Sequence, residues 1–223
     1  MVAVTTSGIC GRRWRSMPET GVPGSAAVSI AGVVLAAGSS TRMGQNKLLL
    51  ALGGEPMVRR TVRATLQGGL EPVVVVLGHE PDHVREAISG LGCRTVLNPD
   101  HAQGVRLSVQ VGIREVSTEA RAAVVTLADM PFVTAAMIHA LVDRYCEGTS
   151  LLVSSQYGEV NAPPTLYDRS LFTEMLAMTG EGCGKQVMRR HLQEAAIINW
   201  PAASLADIDL PEEYERIRAQ LVD

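Results

Sequence analysis

The segment LAAGSSTRMGQNK, Leu35 to Lys47, gathers the residue types that grip a polyanion. Its small residues, Ala36, Ala37, Gly38, Ser39 and Ser40, let the main chain approach a ligand closely. Successive amide N–H groups in such a turn form a concavity for anions. Arg42 and Lys47 add cations within reach of the same loop, as a chain of phosphoryl groups demands. The spacing of Gly38, Gly44 and Lys47 does not fit GxxxxGK[ST], and GxGxxG is absent there, so neither the Walker A loop nor the dinucleotide fingerprint is supported. A glycine turn flanked by solvated cations is the plain alternative.

Asp129 follows the apolar run AAVVTLA and precedes Met130-Pro131. A carboxylate at the end of a buried strand points into a ligand crevice, where it can hold a hard divalent cation such as Mg²⁺. A turn or cap aspartate before Pro131 would look the same. Asp207 and Asp209, at i and i+2, share one side of an extended segment. Either could instead cap a helix beginning near Pro211. Asn98, Gln103, Gly104 and Ser108 suit the reading of a nucleobase edge, with Ser108 one helical turn beyond Gly104. Asn98-Pro99 could be a simple turn, and Ser108 a helix-surface hydroxyl. Lys185 could meet a phosphate or be solvated, and His79 and His101, near strand ends, could line the cleft, although ordinary loop histidines are the plainer reading. Cys183, between glycines, has no identifiable acid or histidine partner.

These residues need a frame to position them. From Val28 onward, short β-branched runs alternate with amphipathic stretches. SIAGVVLA reads as a buried strand, and Pro56 to Gln67 as a helix with Val58, Val62 and Leu66 on one face. Strand-length apolar runs recur at Pro72 to Gly78, Cys93 to Asn98 and Ala122 to Ala128. Helical patterns cover Asp82 to Leu91, Gly104 to Val116 and a segment capped by Thr134. SLLVSS, PTLY and AAIINW are further short strands, expected to be separated by helices. The alternation predicts an α/β fold, doubly wound, with a mostly parallel sheet and helices on both faces. In such folds ligands bind beyond the carboxyl ends of the strands, where strand order reverses. The segments after Ala36, Gly78, Asn98 and Ala128 are therefore the places to look.

With 223 residues and 46% apolar composition, the chain fits one mid-sized domain, taken here as residues 30–223. Residues 1–29 are rich in Gly, Ser and Pro without an apolar h-region, and read as a disordered leader, with Met17 an alternative start. A net charge of −3 argues against a nucleic-acid partner. No apolar run reaches the roughly 20 residues that span a bilayer, so no membrane segment is expected. Cys10, Cys93, Cys146 and Cys183 are scattered without zinc-ligand spacing, in keeping with reduced thiols and a cytoplasmic location.

Leu35 to Lys47 resembles the signature of the molybdenum cofactor cytidylyltransferase and guanylyltransferase group. The similarity continues through NPDHAQGVRLSVQVGI, LADMPFV and DIDLPEEY, so it spans nearly everything after residue 30. Ala36-Ala37-Gly38 is similar to the cytidine type, whereas guanosine enzymes tend to carry AGG. The resemblance implies a Rossmann-like nucleotidyltransferase fold and transfer of CMP, in preference to GMP from GTP, onto the terminal phosphate of molybdopterin. It implies nucleotide contacts from Leu35, Ala36, Ala37, Gly38, Lys47, Asn98, Gly104 and Ser108. It further implies catalytic roles for Lys47, Arg42 and Asp129, with Mg²⁺ on Asp129 and Asp209, or Asp207 in its place. A molybdoenzyme or its chaperone would receive the product. Three departures stand out: Leu210 replaces a threonine, NAPPTLY stands where relatives carry GxP, and GEGCGKQ replaces a GDxGxR-like stretch. The alternatives are a different phosphorylated acceptor, an oxidoreductase reusing the fold, and a non-catalytic cofactor chaperone.

Overall fold

The computed structural model describes residues 29–220 apart from 41, 42, 117, 119, 149, 181, 182, 207 and 209. Arg42, Asp207 and Asp209, and nearly all of the expected leader, therefore lie outside the described residues.

The strands are β1 (Ile30–Ala36), β2 (Ala51–Leu52), β3 (Glu55–Pro56), β4 (Val73–Leu77), β5 (Arg94–Leu97), β6 (Ala122–Leu127), β7 (Leu152–Tyr157), β8 (Val160–Asp168) and β9 (Ala196–Trp200). The helices are α1 (Met57–Gln67), α2 (Pro81–Ala87), α3 (Val105–Val116), α4 (Ala135–Cys146), α5 (Phe172–Ala177), α6 (Cys183–His191) and α7 (Pro211–Gln220). The main sheet runs β5-β4-β1-β6-β8-β7-β9, while β2 and β3 form a small separate hairpin. β5, β4, β1 and β6 are mutually parallel, and β8 runs antiparallel to both β6 and β7. β1 and β4 are buried along their whole length, as strands covered on both faces must be.

Side chains alternate between two cores. Val34, Val75 and Val124 point to the face covered by α1, α2 and α4, which contribute Val62, Val84 and Ile138. Val33, Val74 and Val125 point to the other face, packed under α3, α5 and α6 through Ile113, Met175 and Val187. Gly112 of α3 rests so close to β1 that an added Cβ would meet Val33 Cγ1 at 2.3 Å. Thr134 caps α4 as expected, accepting from Met137 N.

The mostly parallel, doubly wound sheet stands as expected, with local differences: the hairpin of β2 and β3 was not expected, α2 ends at Ala87 rather than Leu91, and β7 is joined to β8 directly. No helix separates SLLVSS from PTLY: β7 and β8 are a hairpin turned at Gly158, whose φ is 60°. Pro163 and Pro164 break the alternation that would have marked β8 as one long strand, and the register shifts between Ser154 and Ser155 opposite them.

After β1 the chain moves outward to β4 and β5, then crosses back to β6 on β1's other side. Strand order thus reverses between β1 and β6, and the crevice beyond their carboxyl ends is where such sheets bind ligands.

Candidate active site

Two hydrogen bonds shape the loop after β1. Ser40, in the left-handed region at φ 50°, accepts Met43 N at its carbonyl, 2.9 Å away. Its hydroxyl accepts Lys47 N at 3.2 Å. Asn46 then caps a 3-10 turn, Lys47–Leu49, by accepting Leu48 N. Leu48 anchors that turn in the core on the α1 face. Lys47 is consequently held against the body of the protein, and its Nζ lies 2.8 Å from Asp129 Oδ2.

Asp129 is presented from the β6 side. Ala128 N donates to Leu35 O at 3.0 Å, extending the β1–β6 pairing to the crevice lip. Thr61 of α1 donates to Ala128 O, and Arg60 Nε donates to Pro131 O at 2.9 Å, so α1 brackets the aspartate from both sides. Leu35, Ala37, Gly38, Lys47, Ser108 and Asp129, all singled out from the sequence, line one cavity of about 220 Å³. A Cβ on Gly38 would meet nothing within 4 Å, so that glycine opens directly onto the ligand space.

Three of the residues expected at the nucleotide do not line this cavity. Ala36 is fully buried in the core on the α1 face, because alternation along β1 turns its side chain away from the crevice. Asn98 is 1% exposed and lies behind Ser108, donating from Nδ2 to Ser108 Oγ at 2.9 Å. Gly104, at φ 113° and ψ 161°, precedes α3 as expected but lines a second, larger cavity. Of the two histidines near strand ends that could line the cleft, His101 does line the smaller cavity, against the plainer reading as a loop histidine.

The second cavity measures about 690 Å³ and lies between α3, α6 and the carboxyl half of the crevice on the β8 side. Asn161, Pro163, Thr165, Lys185, Gln186 and Arg189 line it, so NAPPTLY and GEGCGKQ meet there. The sequence did not mark Arg106 or Arg189; with Lys185 they supply the cavity's positive charge, and among the described residues that line it there is no carboxylate. Leu35, Val105 and Leu127 belong to both cavities, forming the ridge where the two spaces meet. Arg106 donates from Nε to Gly180 O at 2.7 Å, and Gln110 Nε2 bonds the carbonyls of Met175, Leu176 and Met178, fastening this wall to α3. Behind it, Glu174 of α5 meets His191 and Arg190 of α6 at 2.8 and 2.9 Å. The His191 bond, opposed by burial and helped by Arg190, holds the Glu174 carboxyl below its ordinary pKa.

Anion loop, lysine, carboxylate and switch-point crevice are the parts of a nucleotide site, and the MobA-like NTP transferase domain matches residues 32–195. The chain belongs to that family. The matched span contains every residue described above as lining either cavity. Within the curated proteins it is 33% identical over 199 residues to the purine catabolism protein PucB of Bacillus subtilis (strain 168), covering 84% of this chain and 95% of that one. The bifunctional protein GlmU of Kineococcus radiotolerans is 34% identical over 149 residues. That match takes in 65% of this chain but 30% of the GlmU chain, so it concerns one part of a longer protein. The crystal structure of Rv0371c from Mycobacterium tuberculosis H37Rv superposes with a TM-score of 0.78 at 25% identity, covering 87% of this chain and 100% of that one. As a member of the family, the chain is a nucleotidyltransferase whose substrate is a nucleoside triphosphate. Among the described residues, no helix is long and apolar enough to cross a membrane.

Proposed function

We propose that the protein transfers CMP from CTP to the terminal phosphate of a molybdopterin-type acceptor and releases pyrophosphate. The observation that carries this reading is the meeting of two cavities at Leu35, Val105 and Leu127, one charge-paired by Lys47 and Asp129 and one lined by cations. A nucleotide in the smaller space and a phosphorylated ring system in the larger would meet at that ridge. The larger cavity has an apolar floor of Val109, Val125 and Met188, with Tyr167 beside it, suited to a flat heterocycle. Arg106, Lys185 and Arg189 would balance the acceptor's phosphate charge.

The preference for CTP rests on Ala37, which lines the smaller cavity at a position where the guanosine type has glycine. Less room there favours a single-ring base. For the acceptor's recipient, the relative named for purine catabolism suggests a molybdoenzyme acting on purines, or that enzyme's chaperone.

A phosphate monoester is largely ionised near neutral pH, so its attack on the α-phosphorus needs no general base. Catalysis is then positioning and charge neutralisation. Lys47 and the amides of the Ala37–Ser40 turn would take up charge developing on the departing pyrophosphate. The chemistry of Asp129 fits magnesium: it is a hard carboxylate on the wall of the smaller cavity, and the ion commonly takes phosphate oxygens and water for the rest of its shell. Asp209 is the proposed second ligand, and its neighbour Ile208 is buried against Met43 and Met57 beside the loop. Bound there, magnesium would supply charge stabilisation to the phosphate chain.

The test is to incubate the protein with Mg²⁺, molybdopterin and each of CTP, GTP, ATP and UTP, measuring pyrophosphate release. Release with CTP that depends on molybdopterin is expected. Release that requires a sugar phosphate instead, or none with any triphosphate, would overturn the acceptor or the transferase reading respectively.

A further inference from the structure

The C-terminal arm after β9 packs against the anion loop and joins neither main core. Its Ile208 and Ile217, 0% and 3% exposed, form a third cluster with Met43, Leu52 and Met57, and Tyr214 packs against it. Among the described residues, the two main cores take no member from beyond Leu205. In α7, PEEYERIRAQ, only Tyr214 and Ile217 are large and apolar, so one narrow stripe docks the helix. Tyr214 Oη donates to Ala51 O at 2.9 Å, tying α7 to β2. A ten-residue helix is marginal by itself in water, so α7 owes its helical state to docking. Met43 joins this cluster to the ligand space. Its N–H donates to Ser40 O at 2.9 Å, and Ser40 Oγ accepts Lys47 N at 3.2 Å. Ser40 and Lys47 both line the smaller cavity.

We propose that the C-terminal arm is a strap that holds the anion loop in its ligand-binding shape, with Met43, Ile208 and Ile217 as positioning residues. The proposal rests on the smaller cavity being the nucleotide site. None of the three lines that cavity, so their effect runs through Ser40. A left-handed φ of 50° is unfavourable for serine and persists only where its surroundings hold it. The Met43 N–H supplies one such hold, and the buried Met43 side chain keeps that N–H in place. With the arm undocked, Met43 loses its apolar cover and the loop samples other shapes, so a phosphate chain must order the loop as it binds. Linkage is reciprocal: docking of α7 strengthens binding of the phosphate chain by the same factor by which the bound chain strengthens docking.

The experiment follows hydrogen exchange of the α7 amides in the full chain as inorganic tripolyphosphate or CTP is raised, each with Mg²⁺. Exchange should slow by about tenfold and then level off, because the undocked form still binds. Ile217→Asp should leave α7 unprotected and weaken both ligands by that same factor, tripolyphosphate as much as CTP, since the strap acts on the loop and not on the base. Ile138→Val, in the core under α4, should lower Tm while leaving both Kd values unchanged. The arm also carries Asp209, so the slowing should persist in Asp209→Asn. If it vanishes there, the coupling runs through a metal ligand and the proposal falls. Exchange indifferent to both ligands overturns it, as does an affinity within about twofold of wild type in Ile217→Asp. Slowing that keeps growing with ligand and equals that of α4 overturns it too, since α7 then opens only with the whole fold. If Ile217→Asp fails to fold, the wild-type exchange decides alone. Should neither tripolyphosphate nor CTP bind the wild type, the nucleotide reading of the cavity falls first and takes this proposal with it.

Discussion

Lys47 Nζ and Asp129 Oδ2 stand 2.8 Å apart across the crevice, one on the loop after β1 and the other just beyond β6. With their side chains 10% and 22% exposed, each charge compensates the other in a partly desolvated place. A phosphate chain for the lysine and a divalent cation for the carboxylate could replace that pairing together.

Breaking the pair from either side should abolish chemistry while affecting stability unequally. Asp129→Asn and Lys47→Met are each expected to lower pyrophosphate release by roughly 10²-fold or more, the scale of losing one preorganised charge contact. The double variant should be less destabilised than the sum of the singles by about 0.5–3 kcal/mol, since no charge is left uncompensated. Thermal melts and a pyrophosphate assay on all four proteins check both statements. Near-normal turnover in Asp129→Asn would remove the metal assignment.

Gly38 separates ligand space from folding space. Because its Cβ would meet nothing within 4 Å, Gly38→Val should melt like the wild type in the absence of ligand. At a hundredfold excess over Kd, CTP and Mg²⁺ should raise the wild-type Tm by roughly 5–10 °C, from about 2.7 kcal/mol of linkage. In Gly38→Val that rise should vanish. A stabilisation of wild-type size would show that the ligand does not pass over this residue.

Gly78 gives the opposite result. A Cβ there would lie 2.7 Å from Ala37 Cβ, Ala37 O and His101 Cβ, so the end of β4 supports the anion loop only if it lacks a side chain. Gly78→Ala is expected to cost about 1–3 kcal/mol by overpacking and to weaken nucleotide binding as the loop is displaced. Denaturant unfolding together with CTP titration reads both effects.

The Glu174–His191–Arg190 contacts behind the larger cavity should respond to acid. The folded pKa of Glu174 lies below its ordinary 4.5, chiefly through the His191 bond. Its contribution to stability is therefore complete above pH 4.5 and fades as pH falls through the lower folded value. The Tm difference between wild type and Glu174→Gln should be largest near neutrality and close in the acid range. A difference that widened on acidification would contradict the assigned direction.

The sequence by itself determined the small-residue loop after β1, the βα alternation and the placing of Asp129 at a strand end, because these depend on local composition and short periods. Buried parallel strands announce themselves as continuous β-branched runs, and β1, β4 and β6 lie within a residue or two of where those runs ended. The hairpin of β7 and β8 was hidden, because prolines interrupt the period by which a strand is recognised. Burial direction was equally out of reach: Ala36 and Ala37 are the same residue type, yet the pleat sends the first into the core and the second to the cavity wall. Which residues touch a ligand and which hold others in place, as Asn98 holds Ser108, was decided by β5 and α3 coming together across the sheet edge. The same holds for the larger cavity, whose cations come from α3 and α6 and share a wall only once both helices pack on one face. Local chemistry is written in adjacent residues; the direction of a side chain is set by neighbours that are distant in the chain.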